Sequence, residues 1–310
     1  MTAAPLVVPP RLAGYLEKFY GEQGRAWATG LPGLAAAFLD RWELTPDGPA
    51  RHGMVALVLP VRRSDGDPAA LKLQPLDPEH PGEPSALRAW RGDGAVRLLD
   101  ADPATGTMLL ERLDGDRDLR GEPDDLKAVQ IIAELLARLH ACDPPDDIMP
   151  LRDVVAGMLA YAPRAAAALA DPADTRLVNG WASAVTEVAG EPGDRLLHWD
   201  LHFENVLAAG REPWLAIDPK PLAGDPGFDL LPALHNRTDE ILAAADPRRA
   251  VLRRFDLMVE ILGLDRGRAT AWTLARVLQN TLWSIENGVR TIDSIQALIA
   301  DALTHRPAAR

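Results

Sequence analysis

The chain has 310 residues, with 33 Lys and Arg against 45 Asp and Glu and a formal net charge of −12. That balance argues against nucleic acid or an anionic membrane as main partner, permits a cationic small-molecule substrate, and leaves ample apolar content for two lobes. Cys142 is the only cysteine, which excludes an internal disulfide and a cysteine zinc cluster, and no run approaches the length of a membrane span.

The first residues, MTAAPLVVPPRLAGY, lack the basic segment and long apolar stretch of a secretory signal, so a cytoplasmic protein is expected. Residues 10–43 read as helices, with apolar residues three and four apart in RLAGYLEKFYG and LAAAFLDRW. TPDGPARHG (45–53) breaks the pattern with turn formers. MVALVLPV (54–61) and AALKL (69–73) then read as a strand pair around RSDGDP. GEPSALRAW (82–90) predicts a helix with Glu83 in its first turn and Pro84 early, where proline is tolerated. AVRLLDA and TGTMLLERL predict a second hairpin around DPATG.

After the glycine- and charge-rich ERLDGDRDLRGEPDD (111–125) the pattern turns helical, over 125–142, 151–170 and 174–189. A polar stretch follows, then a short strand WLAID (214–218), then helices near 248–263, 269–287 and 292–303. The expected fold is α+β and bilobal. It has an N-terminal lobe over 1–110 (a helical extension, then an antiparallel sheet with one helix), a linker over 111–120 and a larger, mainly helical lobe over 121–310. The groove between two such lobes is the default ligand site. Cys142, in RLHAC at the end of an apolar helix, reads as a buried thiol rather than a nucleophile.

The polar stretch LLHWDLHFENVL (196–207) places Asn205 five residues after Asp200, and AIDP places Asp218 just after a short strand. An Asp, an Asn five later and a second Asp at a strand end form a layout for phosphoryl transfer from a nucleotide. Asp200 would take or orient the proton of the attacking hydroxyl, and Asn205 and Asp218 would offer hard oxygens to Mg²⁺. Lys72 in ALKL supplies a cation for the α- and β-phosphates, projecting from the same strand face as Ala70. Glu83 is placed to pair with it; Glu79, in the intervening loop, is the weaker partner. His198, Asp200 and His202 at two-residue spacing would also suit zinc or manganese in a hydrolase, a reading that Asn205, Asp218 and Lys72 disfavour. Alone, each residue has a bland reading. Asp225 caps a turn, Trp199 is core, and His198 is a packed, hydrogen-bonded support.

Together with VLPVR, ALRAWRGDGAVRLLDAD, LLERLDG, LLHWDLHFENVLA and AIDPKPLAGDPGFDLLPALHNR, this set resembles the protein-kinase-like aminoglycoside phosphotransferases. Within them it is similar to the streptomycin 6-phosphotransferase and hydroxyurea phosphotransferase family, over about residues 10–290. The resemblance implies Asp200 as catalytic aspartate, Asn205 and Asp218 as magnesium ligands and Lys72, held by Glu83, on the phosphates of ATP. It further implies that ERLDG (111–115), through the backbone of Glu111 and Leu113, meets the adenine edge, and that Asp229 and His198 brace the catalytic loop. His202, where protein kinases usually hold a lysine, is expected to steady the transferred phosphate.

A GxGxxG loop is absent, DGPARHG offering only Gly48 and Gly53. The expected activity is ATP- and Mg²⁺-dependent phosphorylation of an aminoglycoside hydroxyl, that of streptomycin at position 6, by a monomeric resistance enzyme. Glu286, Asp239 and Glu240 are candidates for its guanidinium groups. The alternatives are a kinase of hydroxyurea or another small metabolite on the same fold, and a nucleotide-binding protein without transfer activity.

Overall fold

A computed structural model of the chain describes residues 6–76 and 82–305; Glu79 lies outside the described residues. The chain divides into two compact units, Met1–Gly92 with Val96–Asp114, and Asp93–Ala95 with Gly115–Arg310.

The first unit opens with helix α1 (Pro10–Arg41), started by Pro10 where a missing N–H costs nothing, and broken at Gly21 by a left-handed φ of 59°. A side chain at Gly24 would collide with the Leu16 carbonyl oxygen, so glycine there lets the two helical segments close on each other. Next come β1 (Thr45–Pro46), β2 (Arg51–His52), β3 (Leu57–Arg62), β4 (Pro68–Leu73), α2 (Glu83–Trp90), β5 (Leu98–Asp102) and β6 (Thr107–Glu111).

The sheet runs β1-β3-β4-β6-β5, with β2 also on β3, all antiparallel. The strand expected from residue 54 starts at Leu57, because Gly53 to Ala56 close a turn through a 3.0 Å backbone hydrogen bond. Strand alternation sorts β4 into two faces. Ala69, Leu71 and Leu73 join Leu12, Leu16, Leu31 and Phe38 of α1 in one apolar cluster, which turns Lys72 to the opposite face.

The second unit contains β7 (Asp114–Asp118, in this unit from Gly115), α3 (Asp125–Leu139), α4 (Leu151–Ala167), α5 (Pro172–Val188) and β8 (Arg195–Leu197). These lead into β9 (Val206–Ala208), β10 (Trp214–Ala216) and β11 (Leu222–Gly224). Helices α6 (Leu231–His235), α7 (Thr238–Ala243), α8 (Pro247–Leu262), α9 (Arg266–Glu286) and α10 (Ser294–Thr304) follow. Aspartates cap α3, α5, α8, α9 and α10 by accepting a first-turn N–H, which fixes where each helix begins. Helix α9 is buried on most of its circumference between residues 272 and 279, the mark of a central helix. Among the described residues no helix is long and apolar enough to cross a membrane.

Candidate active site

Two short ladders assemble the polar chemistry of the second unit. Strand β8 pairs with β11 (Leu197 with Leu222), and β9 pairs with β10 (Val206 with Ala216). The segment 198–205 joins β8 to β9, and 217–221 joins β10 to β11. Two loops suspended between the same two ladders must face each other. Backbone bonds fasten them: Ile217 N–H donates to the Asn205 carbonyl at 2.9 Å, and Lys220 N–H to the His198 carbonyl at 3.0 Å. Asp200, Asn205, Asp218 and Lys220 are thereby gathered at one place.

The first loop stands on Asp229. This carboxylate is fully buried and accepts the backbone N–H of His198 at 2.8 Å and of Trp199 at 2.5 Å, and it meets His140 Nε2 at 3.0 Å. Burial alone would push its carboxyl up, but the hydrogen bond and charge of His140, with the donors from His198, hold it below the usual carboxylate range. Trp199 and Asp218 both have left-handed backbone, at φ 65° and 58°. That conformation is strained for a tryptophan, and the Asp229 carboxylate compensates it directly.

His198 is wholly buried and supports both loops. Its Nδ1 accepts the Asp200 N–H at 3.3 Å, so the proton sits on Nε2, which donates to the Ile217 carbonyl at 3.0 Å. Burial lowers its pKa against the opposing charges of Asp229, Asp200 and Asp218, consistent with a neutral ring. With both nitrogens engaged it is no metal ligand, which removes the hydrolase reading. Among the described residues no cluster of three or more His, Cys, Asp or Glu is arranged to hold a metal.

Asn205 is buried and donates from Nδ2 to the Asp200 carbonyl at 2.9 Å. A carbonyl can only accept, so the facing atom must be the nitrogen and the amide oxygen points the other way. Asn205 Oδ1 and the Asp218 carboxylate are hard oxygen donors on two facing loops. Such a sparse set fits Mg²⁺, which is commonly held by one or two side chains and completed by phosphates and water. His202 caps the short 3₁₀ turn Phe203–Asn205, its Nδ1 accepting the Glu204 N–H at 3.2 Å, so the ring proton lies on Nε2.

In the first unit Lys72 is 5% exposed, and its Nζ donates to Glu83 Oε1 at 2.6 Å. Glu83 sits in the first turn of α2, and its Oε2 accepts from Gln74 Nε2 at 2.8 Å. Glu111 ends β6, with its backbone N–H on the Arg97 carbonyl at 3.0 Å and its carboxylate on the Arg97 N–H at 2.8 Å. Leu113 follows, half-buried.

Asp239 and Glu240 lie in the first turn of α7 and, with Arg120, Glu204 and Arg237, line a cavity of about 330 Å³. Glu204 there pairs with Arg120 at 2.6 Å. Glu286, exposed at the end of α9, does not line this cavity. Asp225 caps its turn, accepting from Gly227 N–H at 2.8 Å, and also holds Arg268 Nε at 2.6 Å. Cys142 departs from its expected burial. It follows the end of α3 and is half-buried, its thiol 3.4 Å from the Asp143 carbonyl.

Sequence reasoning missed His140, Lys220, His235 and Arg276. Lys220 Nζ lies 3.1 Å from Asp200 Oδ2. Burial disfavours its charge, but Asp200 and Asp218 hold its pKa above the ordinary lysine value. Arg276, on α9, is 5% exposed. Its Nη1 donates to Gln279 Oε1 at 2.8 Å and Asn280 Oδ1 at 2.6 Å, its Nη2 reaches the Trp199 carbonyl at 3.4 Å, and the Trp199, Trp283 and Phe228 rings surround it. Burial lowers its pKa to about 10, opposed by Asp200 and Asp229. Burial first, then the charges of Arg276 and His202, lower that of His235 to about 4. The usable signal for Arg276 was a charge on the apolar face of a helix. Lys220 carried none beyond standing two residues after Asp218.

A model of the aminoglycoside/hydroxyurea antibiotic resistance kinases matches residues 41–288. Streptomycin 6-kinase of Streptomyces glaucescens is 55% identical over 304 residues, 98% of this chain and 99% of that protein. Hydroxyurea phosphotransferase of Kitasatospora aureofaciens is 53% identical over 307 residues, covering 98% and 87%. A thermostable mutant of the aminoglycoside phosphotransferase APH(4)-Ia, solved with ADP and hygromycin B, shares the fold with a TM-score of 0.58 at 15% identity, over 86% of this chain and 97% of that one. The chain belongs to the family of aminoglycoside and hydroxyurea antibiotic resistance kinases.

Proposed function

We propose that the chain transfers the γ-phosphoryl group of ATP, with Mg²⁺, to the 6-hydroxyl of streptomycin. The observation that carries the acceptor is the near full-length similarity, at 55% identity, to a streptomycin 6-kinase. In this reading the Lys72–Glu83 pair serves the nucleotide phosphates, the backbone at Glu111 and Leu113 serves the adenine, and the second unit supplies the chemistry and the acceptor site.

Asp200 accepts the proton of the attacking hydroxyl, held in place by its own N–H on His198 and its carbonyl on Asn205. Asn205 and Asp218 hold the magnesium ion, which when bound neutralises charge on the nucleotide phosphates. The transition state is loose, so the residues contribute chiefly by positioning and by placing charge in advance. His202 Nε2–H is a donor for the transferred group. Asp239 and Glu240 offer carboxylates to the acceptor's guanidinium groups; Glu286 is the outlying candidate. The identity to hydroxyurea phosphotransferase supports hydroxyurea as the second reading.

The test is incubation with Mg·ATP and streptomycin or hydroxyurea, with mass spectrometry of the product and phosphorus–proton couplings to locate the ester. Phosphate at position 6 is expected. Turnover of hydroxyurea alone selects the second reading, and turnover of neither rejects both.

A further inference from the structure

The chain carries four lysines, Lys18, Lys72, Lys127 and Lys220, and 29 arginines. Lysine differs from arginine in shape, and of the four only Lys18 and Lys127 are ordinary exposed lysines. Arginine presents a flat fork suited to paired oxygens, whereas an ammonium is a compact point charge with three donors that can meet a carboxylate and a phosphoryl oxygen together. Lys72 and Lys220 are the other two.

Three observations bear on Lys220. Its Nζ is 3.1 Å from Asp200 Oδ2, on the carboxylate that takes the acceptor's proton. Its backbone is pinned, N–H on the His198 carbonyl at 3.0 Å, so the side chain starts from a fixed point on the loop facing Asp200. Its side chain is nonetheless 56% exposed, unlike that of the buried Lys72, so Lys220 pairs with Asp200 from a position that reactants can reach.

Resting on the kinase reading above, we propose that Lys220 is a second catalytic lysine, which pairs with Asp200 at rest and donates to an oxygen of the transferred phosphoryl group during transfer. The acceptor oxygen forms the new P–O bond as its proton passes to the Asp200 carboxylate. The bond between the γ-phosphorus and the β,γ-bridging oxygen breaks, its electron pair leaving with ADP. Lys220 keeps its proton throughout and follows the negative charge from carboxylate to phosphoryl oxygens.

The test compares Lys220→Met and Lys220→Arg with the wild type. Calorimetry reads the affinity for Mg·ADP with and without aluminium fluoride, which mimics the planar phosphoryl group and needs no acceptor or base. Wild type gains affinity with the fluoride. Lys220→Met keeps its Mg·ADP affinity within about twofold and loses most of that gain, kcat falling by about 10²–10³-fold. Lys220→Arg restores part of both. A gain in Lys220→Met equal to that of wild type overturns the proposal and leaves Lys220 a holder of Asp200; absence of the gain in wild type overturns it too. If Lys220→Met fails to bind Mg·ADP, Lys220→Gln decides on the same readout. A wild type that gains affinity with fluoride but leaves streptomycin untouched rejects the acceptor assignment while the lysine assignment stands.

Discussion

Asp229 Oδ1 accepts the backbone N–H of Trp199 at 2.5 Å, tying a fully buried carboxylate to a tryptophan with left-handed backbone. Asp229 lies 29 residues beyond Asp200 in the chain, yet it sets the peptide from which Asp200 projects. Asp229→Asn keeps the volume but turns an amide toward N–H donors that need an acceptor. It is expected to destabilise the protein by about 2–4 kcal/mol and to cut kcat more than it raises KM for ATP. Urea denaturation and initial rates measure the two effects; a stable variant with normal kcat contradicts the bracing role.

Acid should loosen the same region. His235 has a folded pKa of about 4, below the ordinary 6.5. Between these values the unfolded chain binds a proton that the folded chain does not, so stability is complete above about pH 6.5 and falls as pH drops toward 4. The limiting slope is about 1.4 kcal/mol per pH unit for one proton. His198, also depressed, acts in the same direction, and Asp229 extends the loss to lower pH. His235→Gln should flatten the fall in urea midpoint between pH 6.5 and 4.5; an unchanged slope contradicts the assignment.

The Lys72–Glu83 pair is nearly dry, so removing one partner strands a charge. Glu83→Gln is expected to cost about 3 kcal/mol or more. Lys72→Met strands the Glu83 carboxylate in turn, and is expected to weaken Mg·ATP binding more than tenfold. Thermal denaturation and calorimetry separate the effects. Full ATP affinity in Lys72→Met contradicts a role for this lysine on the phosphates.

Much of this was legible in the residues, for reasons that differ by element. The strand containing Lys72 alternates cleanly, and the long helices carry apolar faces and aspartate caps, so local chemistry announces them. Asp200, Asn205 and Asp218 stand out because their polar types have no business among buried leucines unless they act. What stayed hidden depends on distant pairing. Strands β8, β9 and β11 span three residues each, too short for a period, and exist because β8 pairs with β11 and β9 with β10. Lys220 becomes notable only once two ladders turn its loop toward Asp200. Arg276 is one charge on the apolar face of its helix, and its meaning comes from the three rings around it.

Steady-state phosphorylation of streptomycin by Asp200→Ala, beside Mg·ATP affinity for the same variant, tests the central claim most directly. The account predicts that turnover falls by about 10²–10⁴-fold with ATP affinity nearly unchanged, since Asp200 acts on the acceptor's proton and not on the nucleotide. Turnover close to that of wild type would contradict it.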